Sequence, residues 1–187
     1  MPHPVCPWWV GYFLASPLRR WLHNPTEILS PYVREGMTVL EPGPGMGFFT
    51  LPIARLVGAS GRVIAVDVQP RMIASLKRRA AKANLLDRIE ARVTSADTLA
   101  IADLASKVDF TLVFAMVHEL PDATRFFREL AAVSKTGAKL LLAEPRGHVS
   151  EAKFAAELSA AATVQLVFNS PLTIRGSRAA LLVKIGS

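Results

Sequence analysis

Between Glu41 and Gly47 an acid is followed by three glycines at every second position: Glu41-Pro42-Gly43-Pro44-Gly45-Met46-Gly47. Glycine has no Cβ, so such a loop lets backbone approach a ligand and take up positive φ. Two phosphate cradles are excluded. A P-loop needs a lysine and a Ser/Thr after its last glycine, and here Phe48-Phe49-Thr50 follow. A dinucleotide fingerprint needs a glycine in sixth place, and counting from Gly43 that place is Phe48. The pattern fits a ligand without phosphate but with a positive charge, and Glu41 suits an ammonium group. Asp67 closes the next apolar run, 20 residues after Gly47. An acid there can accept from both hydroxyls of a ribose, or cap the helix that follows.

A second group of residues could act on a bound molecule. His118 and Glu119 lie in Met116-Val117-His118-Glu119-Leu120-Pro121-Asp122. Histidine titrates near neutrality, at about pH 6.5, which suits a base or a polar clamp. Glu119 could orient it or bind a cation. The plain alternatives are a histidine that caps structure and a glutamate that faces solvent. His148, in Glu144-Pro145-Arg146-Gly147-His148, is a further candidate. His23, His118, His148 and Cys6 show no pair at local ligand spacing, so no metal is expected.

Alternating strands and helices position these residues. Strands are predicted at Met37–Leu40, Arg62–Val66, Ile89–Val93, Val108–Ala115, Lys139–Ala143, Val164–Phe168 and Ala179–Ile185. Helices are predicted at Phe48–Val57, Pro70–Ala83, Asp122–Ser134 and Ser150–Ala162. Two short helices should precede the first strand, starting at Ser16-Pro17 and Asn24-Pro25, which read as N-cap and first helical position. Strand–helix alternation implies right-handed crossovers and a mostly parallel sheet. Each chemically interesting segment then follows a strand, at the edge where open α/β sheets bind ligands. The last two strands lack a helix between them and should form a hairpin, with Pro171 and Gly176 in its turn.

This constellation resembles the class I S-adenosylmethionine-dependent methyltransferases, over roughly residues 25–187. The matching points are Glu41 to Gly47, Val63-Ile64-Ala65-Val66-Asp67, Ser95-Ala96-Asp97, and the fourth strand running into His118. The resemblance implies an α/β, Rossmann-like doubly wound fold. Its sheet would be seven-stranded and mostly parallel, with a C-terminal antiparallel hairpin and a helical N-terminal extension. It also implies roles. Glu41, Gly43, Gly45 and Gly47 would hold the methionine part of S-adenosylmethionine, and Asp67 the ribose. Val68 and Met72 would flank the adenine. Asp97 would accept from its amino group, beside Ala96 and Thr98, and Ala115 would lie under the methionine portion. S-adenosylhomocysteine would be the product. Methyl transfer is an in-line displacement, so the protein mainly orients the reactants. A base is needed only where the acceptor must lose a proton. His118 and Glu119 are the expected catalytic residues, and His118 would point into the space beside the methyl group.

Composition bounds the rest. The 187 residues are 51% hydrophobic, enough for one substantial core. Residues 36–187 should form the methyltransferase domain and residues 1–35 an N-terminal helical extension that folds over the site as a lid. Trp8, Trp9 and Tyr12 of that segment, with His148, would line an acceptor pocket; core packing and membrane-surface contact are the alternatives for the aromatics. The single cysteine, Cys6, permits no internal disulfide and fits the cytoplasm. No apolar run reaches the length of a membrane span, about 18 residues. The net charge is +7. Residues 71–92 carry seven basic residues against Asp87 and Glu90, which can attract nucleic acid or simply form a solvated helix face. The leading expectation is a small-molecule acceptor. A nucleic-acid or protein methyltransferase comes next, then a methyltransferase-like binding protein without turnover. The fourth strand lacks the Asn/Asp-Pro-Pro-aromatic motif typical of enzymes that methylate base amino groups.

Overall fold

The computed structural model describes residues 23–186. Cys6, Trp8, Trp9, Tyr12 and the helix start at Ser16-Pro17 lie outside the described residues. Seven strands form one sheet in the order β3-β2-β1-β4-β5-β7-β6. They are β1 (Thr38–Pro42), β2 (Arg62–Asp67), β3 (Ile89–Val93), β4 (Val108–Phe114), β5 (Ser134–Pro145), β6 (Leu166–Leu172) and β7 (Ser177–Lys184). β7 runs antiparallel to both β5 and β6, while β1–β2, β2–β3 and β4–β5 pair in parallel. The predicted α/β, mostly parallel sheet with an antiparallel C-terminal hairpin is therefore the fold. By contact the described chain divides into two compact units, residues 23–100 and residues 101–186.

In the first unit, α1 (Pro25–Leu29) starts as its sequence requires: the Asn24 side chain accepts the Thr26 amide and Pro25 takes the first helical position. α2 (Thr50–Leu56) is shorter than predicted, because turns carry the chain through residues 45–49. α3 (Pro70–Lys82) buries Met72, Ile73, Leu76 and Ala80 and leaves Arg71, Lys77, Arg78 and Lys82 exposed. Val63 to Val66 of β2 are all buried, as in a strand covered on both faces. Leu76 is 0% exposed, and truncating such a leucine costs about 2–5 kcal/mol.

In the second unit, α4 (Ala123–Val133) begins where the Asp122 carboxylate accepts the Arg125 amide, and it buries Phe126, Phe127 and Leu130. α5 (Glu151–Ala162) is capped by Ser150, whose hydroxyl oxygen accepts the Lys153 amide. Two boundaries correct the sequence reading. β5 begins at Ser134 and not Lys139, because Ser134 already pairs with Val108 ahead of a register shift. Pro171 lies inside β6 and not in the turn after it. β6 is the edge strand, where a residue without an N–H is tolerated.

Candidate active site

Within the first unit, Glu41 and Pro42 end β1 and the glycine loop follows. Gly43, Gly45 and Gly47 have φ of 67°, 54° and 86°, so each occupies the left-handed region that its lack of a side chain permits. The Gly43 amide donates to Val66 O at 2.9 Å, which ties the loop root to β2. The Gly47 amide donates to Pro44 O at 2.9 Å and closes the turn. Arg79 of α3 donates through Nη1 to Met46 O at 2.6 Å, so a cation from the basic window holds the loop. The Thr50 hydroxyl donates to Glu41 Oε2 at 2.6 Å, and Glu41 is 4% exposed.

The two later glycines differ in their surroundings. A Cβ on Gly45 would meet nothing within 4 Å, whereas one on Gly47 would sit 2.5 Å from Leu76 Cδ1. Gly47 is required by the helix packed against it. Gly45 faces open space, and this suits close approach of a ligand to backbone. Asp67 ends β2 almost buried, at 8% exposed, and its Oδ1 accepts the Gln69 amide at 2.8 Å. One carboxylate oxygen therefore holds the turn into the helix, which has no side-chain cap, while the strand end fixes the group in place. Val68 presents 38% of its surface, but Met72 presents only 5%. Ala96, Asp97 and Thr98 are exposed on a tight turn bridged between Ser95 and Thr98. Thr50 and Arg79, which hold Glu41 and the glycine loop, were not read as site residues from the sequence.

Within the second unit, the strand ends of β4 and β5 build a histidine–carboxylate cluster. Phe114 pairs with Ala143, and parallel pairing puts the residues that follow at the same edge. Ala115 takes a left-handed φ of 56° while its amide donates to Ala143 O at 2.7 Å. That reversal leads into a 3-10 turn at Val117–Glu119. It aims the Met116 and Val117 amides at Glu144 Oε1, at 3.0 and 2.9 Å. His118 Nδ1 bonds Glu144 Oε2 in a short contact. Glu144 is 0% exposed, and these three donors are what a buried carboxylate requires.

The orienting carboxylate of His118 is thus Glu144. Glu119, the sequence candidate, stands 3.9 Å from Nε2, outside hydrogen-bond range. His148 stacks on His118 with ring centroids 5.7 Å apart and planes at 22°. Lys153 Nζ reaches His118 O at 3.4 Å.

Glu157 of α5 is 5% exposed, and neither of its carboxyl oxygens has a hydrogen-bond partner. Burial, and then the charge of Glu144, push its pKa up to about 7, against an opposing pull from Lys153. Neither Glu144 nor Glu157 was expected in these roles. Glu144 had a legible signal: like Glu41 and Asp67 it is an acid at the end of an apolar strand. Glu157 had none. Among the described residues no group of three His, Cys, Asp or Glu could hold a metal ion.

The chain matches the family model described as "Methyltransferase domain" over residues 33–173. It belongs to the class I S-adenosylmethionine-dependent methyltransferases. The open space at Gly45 and the fixed acid at the end of β2 are compatible with the cofactor of that family. Among curated methyltransferases, an arsenite methyltransferase from Halobacterium salinarum is 31% identical over 109 residues, 58% of this chain and 27% of that protein. A ubiquinone/menaquinone biosynthesis C-methyltransferase from Klebsiella pneumoniae is 29% identical over 112 residues, 60% of this chain and 44% of that protein. The chain thus spans less than half the length of these relatives.

The folds of solved methyltransferases extend further. An S-adenosylmethionine-dependent methyltransferase from Aquifex aeolicus superposes with a TM-score of 0.85 at 24% identity, covering 97% of this chain and all of that one. Geranyl diphosphate C-methyltransferase from Streptomyces coelicolor, solved with S-adenosyl-L-homocysteine, gives 0.72 at 16% identity over 91% of this chain and 80% of that one. Among the described residues no helix is long and apolar enough to cross a membrane.

Proposed function

We propose that this methyltransferase acts on a small-molecule acceptor, with His118 as its base or polar clamp. The observation that carries the reading is the His118–Glu144 pair. A carboxylate on Nδ1 holds the proton there and leaves the Nε2 lone pair to accept from an incoming group. The residues ascribed to the cofactor keep the roles that the family resemblance gives them: Glu41, Gly43, Gly45, Gly47 and Ala115 for the methionine part, Asp67 for the ribose, Val68, Met72, Ala96, Asp97 and Thr98 for the adenine. S-adenosylmethionine supplies, when bound, a methyl group on a sulfonium centre. The chain's own part is to orient the acceptor, exclude water and take up a proton at His118 Nε2 where the acceptor carries one. The expected lid role of residues 1–35, and the acceptor-pocket roles of Trp8, Trp9, Tyr12 and His148, belong to this proposal.

Two observations support a small acceptor over RNA. The names of the two curated relatives point to arsenite and to quinone biosynthesis. Within the basic window, Arg79, Arg88 and Arg92 each donate to backbone carbonyls of their own unit. The test begins with calorimetric binding of S-adenosylmethionine, S-adenosylhomocysteine and, as control, NAD. Labelled methyl transfer is then screened over arsenite, phenols, small amines and RNA. On the acceptor found, His118→Ala should lower turnover about 10²–10⁴-fold, the range of a lost acid–base group, with cofactor affinity little changed. Full turnover in that variant, or transfer to RNA alone, would overturn the reading.

A further inference from the structure

We propose that the acceptor is a primary or secondary amine, held as its ammonium ion between His118 Nε2 and the Glu119 carboxylate. This rests on His118 being the base of the proposed function, and it names the chemical class that the base serves. Nε2 and Glu119 Oε1 stand 3.9 Å apart, too far to bond each other. A nitrogen at about 2.8–3.0 Å from both would make two bonds that meet at roughly a right angle, within reach of two N–H bonds of one ammonium group. Glu144 holds the ring proton on Nδ1, so Nε2 of the neutral ring accepts. The Glu119 carboxylate also only accepts. Two acceptors this close call for a ligand atom that carries two donors.

The pair is open to such a ligand. Both residues belong to the 3-10 turn Val117–Glu119, and their side chains are 15% and 33% exposed. His148 lies against the face of the ring. The cations nearby are committed elsewhere. Lys153 Nζ reaches His118 O at 3.4 Å. Arg178, paired opposite Glu144, donates from Nε to Val149 O at 3.0 Å, and its Nη1 stands 3.9 Å from Glu151. Among the described residues the Glu119 carboxylate meets no cation within ion-pairing distance other than the imidazole.

Charge separates the acceptor classes. A phenol, a thiol or a carbon acid becomes an anion when it gives up its proton, and the Glu119 carboxylate opposes that charge. An alkylamine, like lysine, titrates near about 10.4, so it arrives as a cation and becomes neutral. The carboxylate attracts the first form and does not repel the second. The step at this site is a proton transfer. One ammonium N–H bond breaks, its electron pair stays on nitrogen as the lone pair that a nucleophile needs, and the proton bonds Nε2. The imidazole becomes imidazolium between Glu144 and Glu119, and the total charge is unchanged.

Two measurements on the full chain test this. The first follows the His118 ring nitrogens by NMR, assigned by comparison with His118→Ala, with S-adenosylhomocysteine present. The probes are benzylamine, benzyltrimethylammonium and benzyl alcohol. Benzylamine alone should move Nε2, because the quaternary ion brings charge without N–H donors and the alcohol brings one donor without charge. Glu119→Gln and Glu119→Ala should each weaken benzylamine binding about tenfold or more, with S-adenosylhomocysteine affinity kept within about twofold. No movement with benzylamine, equal movement with all three probes, or benzylamine binding unchanged in both variants would overturn the proposal. The second measurement screens labelled methyl transfer over amines, over phenols and thiols of the same carbon skeletons, and over arsenite. N-methyl products whose KM rises about tenfold in Glu119→Gln, at little-changed kcat, would support it. His118-dependent transfer to oxygen, sulfur, carbon or arsenic alone would overturn the amine assignment and leave the proposed function standing. Full amine turnover in His118→Ala would overturn both.

Discussion

Substitution of alanine at Gly45 and at Gly47 separates the ligand cradle from the packing that supports it. Both positions have positive φ, 54° and 86°, which costs an L residue about 1–2 kcal/mol. Only Gly47 adds a collision, 2.5 Å from a leucine methyl group. Leu76 is 0% exposed, so it cannot swing into solvent, and overpacking of this kind costs about 1–3 kcal/mol. Gly47→Ala should therefore lose roughly 2–5 kcal/mol in all, and Gly45→Ala about 1–2. At about 2–4 °C per kcal/mol for a chain of this size, thermal unfolding should show a fall of roughly 4–20 °C at Gly47 and about 2–8 °C at Gly45. Calorimetry with S-adenosylhomocysteine should show the reverse order, with binding at least tenfold weaker in Gly45→Ala, because the new methyl group occupies the open space beside the loop backbone. Adding Leu76→Ala to Gly47→Ala should cost less than the two changes summed, since the cavity takes the added methyl. Equal melting losses at the two glycines, strict additivity in the double variant, or normal binding in Gly45→Ala would refute the assignment.

Asp67→Ala should weaken S-adenosylhomocysteine binding more than tenfold through the loss of charge-assisted bonds; calorimetry showing unchanged binding would remove the ribose assignment. Thr50→Val should lower stability by about 1–3 kcal/mol, because it deprives a buried carboxylate oxygen of a donor, and chemical denaturation would measure it. Stability should fall as pH rises from 4.5 to about 7, the window between the ordinary and the folded pKa of Glu157. In that window the folded chain holds a proton that the unfolded chain has released, and the total is on the order of 3 kcal/mol. Denaturant titrations in Glu157→Gln should lack this contribution, and the same slope in both proteins would refute it. Turnover on a neutral acceptor should change little between low and moderate salt, whereas a steep logarithmic slope would indicate phosphate contacts and a nucleic-acid acceptor.

The amino-acid sequence by itself determined the order of the elements, the parallel sheet with its antiparallel end, and the glycine loop. These are local or periodic properties: apolar runs that suit doubly covered strands, Asn24, Asp122 and Ser150 ahead of their helices, and glycines where backbone must turn. It also placed His118, Glu144 and His148 at one edge of the sheet, since each follows a strand of a parallel pair. Tertiary structure decided what these residues do to one another. Glu119 is adjacent to His118 in the chain, yet the 3-10 turn holds the Nδ1 bond for Glu144, 26 residues further on. The basic window read as a charged helix face, but 33 residues separate Arg79 from the carbonyl it holds. Pro171 looked like a turn residue because a sequence does not show which strand is the edge. Glu157 looked like any polar position on an alanine-rich helix. Its burial depends on which face of α5 the neighbouring elements cover, and no local pattern in the chain encodes that.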